Sequence, residues 1–289
     1  MGTDNSTTLP PLPENQTLPF VLEIIERHFP QRDPRFMTDI FSAVSTLFAG
    51  KYPGYHHSDA AYHNFTHTSQ AAEAVARIAD GHIRSGQTPR LTVRDLELAI
   101  AAILLHDIGY LKEEGDEEGT GAKYTLCHVK RSVEFAQRFM PKFGVSADEC
   151  RVLGLAIYST GVNVNMQQLG FQTPQERWIG CALGSGDMLA QMAAPDYPER
   201  LPALYREYAE AVAYSKISEG GIASYRSPQE LMRRTRDFYQ RYAQRMLNQD
   251  WGNVHQSLTH HFPDGRHVYL EQIEANLVRI DALIAKPQS

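Results

Sequence analysis

The stretch DLELAIAAILLHDIGYL, residues 95–111, decides how the chain is read. Leu96, Ala99, Ile100, Ile103, Leu104 and Ile108 recur at helical spacing and trace one apolar stripe. Asp107 falls four residues beyond Ile103, so a helix continued through this point aims a carboxylate at the core. His106, seven beyond Ala99, lies beside it. A carboxylate withdrawn from water is costly unless it is paired or bound to a cation. From these residues alone two readings stay open: a buried His–Asp hydrogen bond, or two adjacent ligands of one metal.

Outward from this stretch the same period repeats. Helices are predicted near 18–29, 35–49, 64–84, 92–112, 122–140, 146–159, 174–193, 198–214, 228–248 and 266–285. Proline and glycine punctuate the gaps, as in KYPGY (51–55), EEGDEEGTG (113–121) and SEGGIASYRSP (218–228). No alternating pattern runs long enough for a sheet, and no internal repeat is present. The expectation is one all-α domain over 18–289, a helical bundle with additional C-terminal helices on the same core. Residues 1–17, polar and proline-rich, read as a disordered tail. The myristoylation-like MGTDNS and the sequons at Asn5, Asn15 and Asn64 read as chance matches.

With 28 Lys and Arg against 34 Asp and Glu, the net charge of −6 gives no global attraction to nucleic acid or anionic membrane. An anionic substrate would have to be held locally, by a metal or a few placed cations. The most basic stretch, RRTRDFYQRYAQR (233–245), reads as a solvated helix face over an inner stripe of Leu231, Phe238, Tyr242 and Met246. Cys127, Cys150 and Cys181 lack CxxC spacing and are expected as small buried thiols, which with no signal peptide suggests a reducing cytoplasm. No apolar run approaches the roughly 20 residues of a membrane span.

Two further stretches join the His–Asp pair. In AYHNFTHTSQAAEAVARI (61–78), His67 shares a helical face with Ala71, Ala74, Val75 and Ile78, and Asn64 is placed to cap the helix. His63 lies at or before the helix start, either as a functional group at the mouth of the site or as a capping or surface histidine. In ERWIGCALGSGDMLAQM (176–192), Gly180, Gly184 and Gly186 each cost a helix about 1 kcal/mol relative to alanine, which close packing would explain. Asp187 lies on the same side as Gly180 and Gly184, as an inward carboxylate or as a helix cap. His67, His106, Asp107 and Asp187 together make a mixed N/O donor set, suited to Mn²⁺, Fe²⁺, Co²⁺, Ni²⁺, Zn²⁺ or Mg²⁺ rather than to a thiolate metal site.

The pattern H…HD…D over separate helices, with HD-I-G-Y, a histidine opening an upstream helix and an aspartate about eighty residues downstream, resembles the HD superfamily of metal-dependent phosphohydrolases over roughly residues 60–195. The resemblance implies that His67, His106, Asp107 and Asp187 are metal ligands, with Asp107 able to bridge to a second metal. The segment YHNFTH, Tyr62 to His67, is similar to the YHNxxH signature of class I cyclic-nucleotide phosphodiesterases. That likeness implies His63 as the general acid that protonates the leaving oxygen while a metal-activated water attacks phosphorus. His63 and Asp107 are thus the expected catalytic residues. His128 follows the pair at about the interval where HD proteins place another histidine, which implies a second-metal or phosphate contact; Lys112 and Arg131 are further candidates for phosphate.

Departures from the family pattern narrow these expectations. The stretch LGLAIYSTGVNVN (153–165) carries no histidine where many two-metal members have one. One divalent metal is therefore expected, with any second held mostly by water. Gln229 is a bare candidate for the glutamine with which phosphodiesterases grip a purine. No Glu-Asp follows the pair closely, which counts against the alarmone hydrolases of the superfamily. The implied function is hydrolysis of a small phosphoester, a nucleotide or cyclic nucleotide, with no nucleic-acid or membrane partner and with homo-oligomerisation open. Two alternatives belong to other classes: a di-iron oxygenase, disfavoured by the missing histidine, and a non-catalytic nucleotide-binding regulator.

Overall fold

Local signals start most of the helices. In the computed structural model, which describes residues 11–215 and 225–285, Asn64 Oδ1 accepts from His67 N at 3.1 Å and opens α3 (Phe65–Ser85). Capping boxes open α4 (Val93–Leu105) at Thr92 and Asp95, and α6 (Ala147–Tyr158) at Ser146 and Glu149. Thr173 followed by proline opens α7 (Pro174–Ala193), and Ser227 followed by proline opens α9 (Pro228–Phe238). The remaining helices are α1 (Glu14–His28), α2 (Arg35–Phe48), α5 (His128–Phe139), α8 (Tyr197–Ser215), the single turn α10 (Leu258–His261) and α11 (Val268–Ala285). Among the described residues there is no strand, only an isolated bridge between Tyr55 and Glu113, so the fold is all-α as expected.

One apolar core connects helices α1 to α11, with α3, α4 and α7 at its centre. α7 approaches its neighbours closely because it lacks side chains where they meet. A Cβ on Gly186 would lie 2.5 Å from Val75 Cγ2 of α3, and one on Gly184 would lie 2.2 Å from the Trp251 ring. Gly186 is therefore the cost of bringing α3 and α7 together, and Gly184 that of seating Trp251 against α7. At the far end of α7, Asn276 Nδ2 of α11 donates to Met192 O and Ala194 O at 2.9 and 2.8 Å, docking the C-terminal helix on the same core. α1 and α10 are tied to α3 through Asp80. This fully buried carboxylate accepts from Arg27 at 2.9 Å and makes contacts with His28 at 2.8 Å and His261 at 2.6 Å.

Several expectations need correction. The tail read at 1–17 is ordered from residue 11: Leu12 N donates to Glu73 Oε2 at 3.1 Å, α1 begins at Glu14, and Thr17 is buried. Composition alone misreads this segment because its partners lie on α3. Residues 1–10, with MGTDNS and Asn5, lie outside the described residues. The helix expected over 92–112 stops at Leu105, and the one expected from 122 begins only at His128. The helix expected over 228–248 is α-helical only to Phe238 and continues in wider π turns at 239–243 and 246–250. Cys150 and Cys181 are buried thiols, but Cys127 is exposed just ahead of α5. Among the described residues no helix is long and apolar enough to cross a membrane.

Behind α7, His255 is 1% exposed, with Nδ1 2.9 Å from His267 Nε2 and Nε2 3.1 Å from Asn248 Oδ1. Burial, and then the neighbouring His267, push its pKa down from 6.5 to about 4. The unfolded chain therefore takes up this proton first, and stability falls as pH falls from about 6.5 toward 4. At pH 5 the loss from this one group is expected to be about 2 kcal/mol relative to pH 7.5. Urea denaturation at the two pH values should show a smaller acid loss in His255→Gln; an identical loss would remove His255 as the cause. Gly184→Ala should lower the melting temperature by about 2–6 °C, because overpacking against Trp251 outweighs the gain in helix propensity. An unchanged melting temperature would mean that the ring has room to move.

Candidate metal centre

Four side chains from three places in the chain converge between α3, α4 and α7. His67 comes from the first turn of α3, Asp187 from the middle of α7, and His106 and Asp107 from the turn that follows α4. His67, His106 and Asp107 are each 1% exposed, while the Asp187 side chain is 23% exposed and lines the open side. His67 Nε2 lies 3.1 Å from Asp187 Oδ1 and 3.4 Å from Asp107 Oδ2. His106 Nε2 lies 3.2 Å from Asp107 Oδ2 and 3.5 Å from Asp187 Oδ1.

These approaches are not hydrogen bonds: His67 Nε2, His106 Nε2 and Asp107 Oδ2 are buried without a partner. Buried polar atoms left this way are rare and call for an explanation. Ligands about 2.1 Å from a common cation stand about 3.0 Å apart in an octahedral array and about 3.4 Å apart in a tetrahedral one. The His67–Asp107 and His106–Asp107 separations, 3.4 and 3.2 Å, fit that range, and these three residues bring one donor atom each into a single group. The tautomer matches as well. His106 Nδ1 donates to Ile103 O at 2.7 Å, which leaves the Nε2 lone pair facing the cluster. The donor set is thus one that a divalent cation would satisfy.

Electrostatics favour the same conclusion. Burial pushes the Asp107 and Asp187 carboxyls up, but the His106 imidazole outweighs it and holds both well below the usual carboxylate range. Burial opposes charge on His106 too, yet Asp107 and then Asp187 overcome it and raise its pKa well above 6.5. A proton on His106 would offset part of that negative charge when no cation is bound.

The turn carrying His106 and Asp107 is shaped by α5 rather than by α4. Ser132 Oγ donates to His106 O at 2.6 Å and accepts from Gly109 N at 2.9 Å. Arg131 donates to Gly109 O at 2.7 Å and to Leu111 O at 2.8 Å. A Cβ on Gly109 would lie 2.1 Å from His128 O, so glycine is what lets the N-terminus of α5 reach the turn. Asp107 therefore sits at φ −106°, ψ 5°, outside a helix, and points inward by tertiary restraint rather than by helical phase.

His63 precedes α3, as the spacing implied. Its Nδ1 donates to Glu207 Oε2 at 2.5 Å, and its ring stacks on Tyr110 with centroids 4.6 Å apart. Burial pushes its pKa down, but Glu207 more than offsets this and the pKa is raised above 6.5. Glu207 Oε1 also accepts from Tyr62 N at 2.6 Å, and Arg200 of the same helix donates to Tyr62 O at 2.5 Å. α8 thus clamps the YHN segment from both sides.

The other candidates are placed as follows. His128 begins α5, stacks on Tyr110 at 4.5 Å, and has Nε2 3.6 Å from Asp107 Oδ1. Lys112 pairs with Asp59 at 3.0 Å and donates to Gly119 O at 2.7 Å; Arg131 is committed to the two carbonyls and lies 3.6 Å over the Tyr124 ring. Both are joined to the frame rather than to the cluster. Gln229 is exposed on the first turn of α9. Ser159 ends α6, and its hydroxyl donates to Leu155 O at 3.2 Å. Glu207 was missed, although Leu201, Leu204 and Ala211 put it near an apolar stripe, the same signal that singles out Asp107.

No family model matches the chain, and no curated protein sequence matches it. The cluster itself supports a direct test. Chelator-treated protein titrated with Mn²⁺ should gain thermal stability, by about 2.7 kcal/mol at a hundredfold excess over Kd. His67→Ala and Asp107→Ala should abolish the gain, whereas Lys112→Ala should keep it. Binding should release the His106 proton, so affinity should fall as pH falls. Calorimetry in two buffers of different ionisation enthalpy measures that release; no release and no stabilisation would remove the metal assignment.

Proposed function

We propose that this chain is a metal-dependent phosphohydrolase of the HD type that cleaves a small phosphoester. In this reading His67, His106, Asp107 and Asp187 hold one divalent cation and His63 is the general acid. The observation that carries it is the grouping of His67, His106 and Asp107 donor atoms, with Asp187 Oδ1 3.1 Å from His67 Nε2, beside a histidine whose other nitrogen is already taken by a buried carboxylate. The bound cation would supply Lewis acidity and lower the pKa of a water.

The protein's own groups do the rest. Glu207 accepts the Nδ1 proton of His63, so Nε2 is the nitrogen that carries and delivers a proton. Glu207 also keeps that imidazole charged to higher pH, and Tyr110 fixes its plane. In the reaction the water oxygen would bond phosphorus as the ester P–O bond breaks, the His63 proton would go to the departing oxygen, and the water's protons would stay with the phosphate, from which His63 regains one. Burial of three of the four ligands keeps bulk water away and strengthens charge interactions inside.

On the other side of Asp107, Oδ1 lies 3.6 Å from His128 Nε2. Among the described residues His67, His106 and Asp107 form the one group of three or more such donors. That favours a single-metal hydrolase over a di-iron oxygenase, which needs about six protein ligands to hold two irons.

A panel of phosphomonoesters and phosphodiesters with Mn²⁺ tests the assignment, and Asp107→Ala should abolish the turnover found. His63→Asn should lower kcat by about 10²–10³ with metal content unchanged. That loss should shrink for esters of p-nitrophenol, whose oxygen leaves without a proton. A general acid works protonated, so kcat falls as pH rises through its pKa; Glu207→Gln removes the group that raises this pKa and should move the fall to lower pH. Equal losses across leaving groups would show that His63 does not deliver the proton.

A further inference from the structure

α4 stops at Leu105, although the AAILLHD stretch holds no proline or glycine and the apolar period runs on to Ile108. Something outside the helix therefore ends it. In an unbroken α-helix His106 O would accept from Tyr110 N, and Gly109 N would donate to Leu105 O. Here both groups turn elsewhere. Tyr110 N donates to Asp107 O at 3.0 Å, a tighter closure than the α-helical one. His106 O instead accepts from Ser132 Oγ at 2.6 Å, and Gly109 N donates to that same oxygen at 2.9 Å.

One hydroxyl thus answers two backbone groups that α4 would otherwise pair within itself. A hydroxyl can do this because it donates once and accepts on its lone pairs. Ser132 is fully buried, so solvent does not compete for either bond. Its neighbour Arg131 holds the next two carbonyls, Gly109 O and Leu111 O. The start of α5 therefore lies along residues 106–111 as a splint.

The exit from the helix matters because two of the candidate ligands are neighbours in sequence. Adjacent side chains on an α-helix do not face each other. Asp107 leaves the helical backbone at φ −106°, ψ 5°, while His106 still holds it at φ −61°, ψ −33°. Their donor atoms, His106 Nε2 and Asp107 Oδ2, then stand 3.2 Å apart.

We propose that Ser132 is the positioning residue of the cluster: its hydroxyl holds the His106–Asp107 turn out of α4 and thereby sets how tightly the cluster grips a divalent cation. The cation rests on the reading of the cluster given above; the turn does not.

Ser132→Ala removes both bonds, and the freed backbone groups can then pair by extending α4. Val133→Ala is the control, since Val133 is buried on the same helix but packs on Gly154 of α6. Free Mn²⁺ measured by its electron spin resonance gives Kd for each full-length protein. Ser132→Ala should raise Kd about 10–100-fold, as loss of a group that orients a ligand typically does. Val133→Ala should leave it within about twofold. Ser132→Cys, whose thiol donates and accepts weakly, should fall between Ser132→Ala and the unsubstituted protein. A rise below about tenfold in Ser132→Ala, or an equal rise in Val133→Ala, would overturn the proposal. If Ser132→Ala does not fold, Ser132→Cys decides in its place, and a Kd equal to that of the unsubstituted protein overturns it. The backbone ¹³Cα shifts of Asp107 and Ile108 give a readout that needs no metal. In metal-free Ser132→Ala they should move toward helical values, and in Val133→Ala they should stay; unchanged shifts in Ser132→Ala overturn the proposal. If the unsubstituted protein binds no Mn²⁺, the metal reading fails by itself, and these shifts alone decide whether Ser132 holds the turn.

Discussion

Two carboxylates buried on α3 and just beyond α4 show opposite solutions to one problem. Asp80 is sealed from water and fully answered, by Arg27, His28 and His261. Asp107 is equally sealed, yet one of its oxygens has no hydrogen-bond partner and faces imidazole nitrogens in the same condition. The second arrangement is one that a cation could satisfy. Much of the architecture serves to hold that unanswered group in place. Gly186 in α7 brings Asp187 close to α3, Gly109 admits the end of α5, and Ser132 ties the turn at both of its backbone ends.

The phase of α3 was legible in the chain. His67 shares a face with Ala71, Ala74, Val75 and Ile78, all of them fully buried, and Asn64 caps its helix as the local pattern implied. Such signals survive in sequence because helix caps and apolar stripes act over a few residues. α7 likewise runs over the residues that its Thr-Pro start and its apolar period indicate.

What stayed hidden depends on partners far along the chain. The halt of α4 at Leu105 follows from Ser132 and Arg131, more than twenty residues away, and not from any breaker in the AAILLHD stretch. Asp107 is buried as its position implied, but not through the helix from which that burial was read. Residues 11–17 look like a tail by composition and become ordered through Glu73. Glu207 carries an inward-facing signal of its own, but its meaning depends on His63, 144 residues earlier.

That separation has a consequence for the order in which the protein becomes competent. His67, His106, Asp107 and Asp187 all precede Glu207, which comes twenty residues after the last of them. A chain made from its N-terminus at about 5–20 residues per second exposes the whole donor cluster on the order of seconds before the carboxylate that orients His63. The four side chains of the cluster are therefore presented before the carboxylate that fixes His63 has been made.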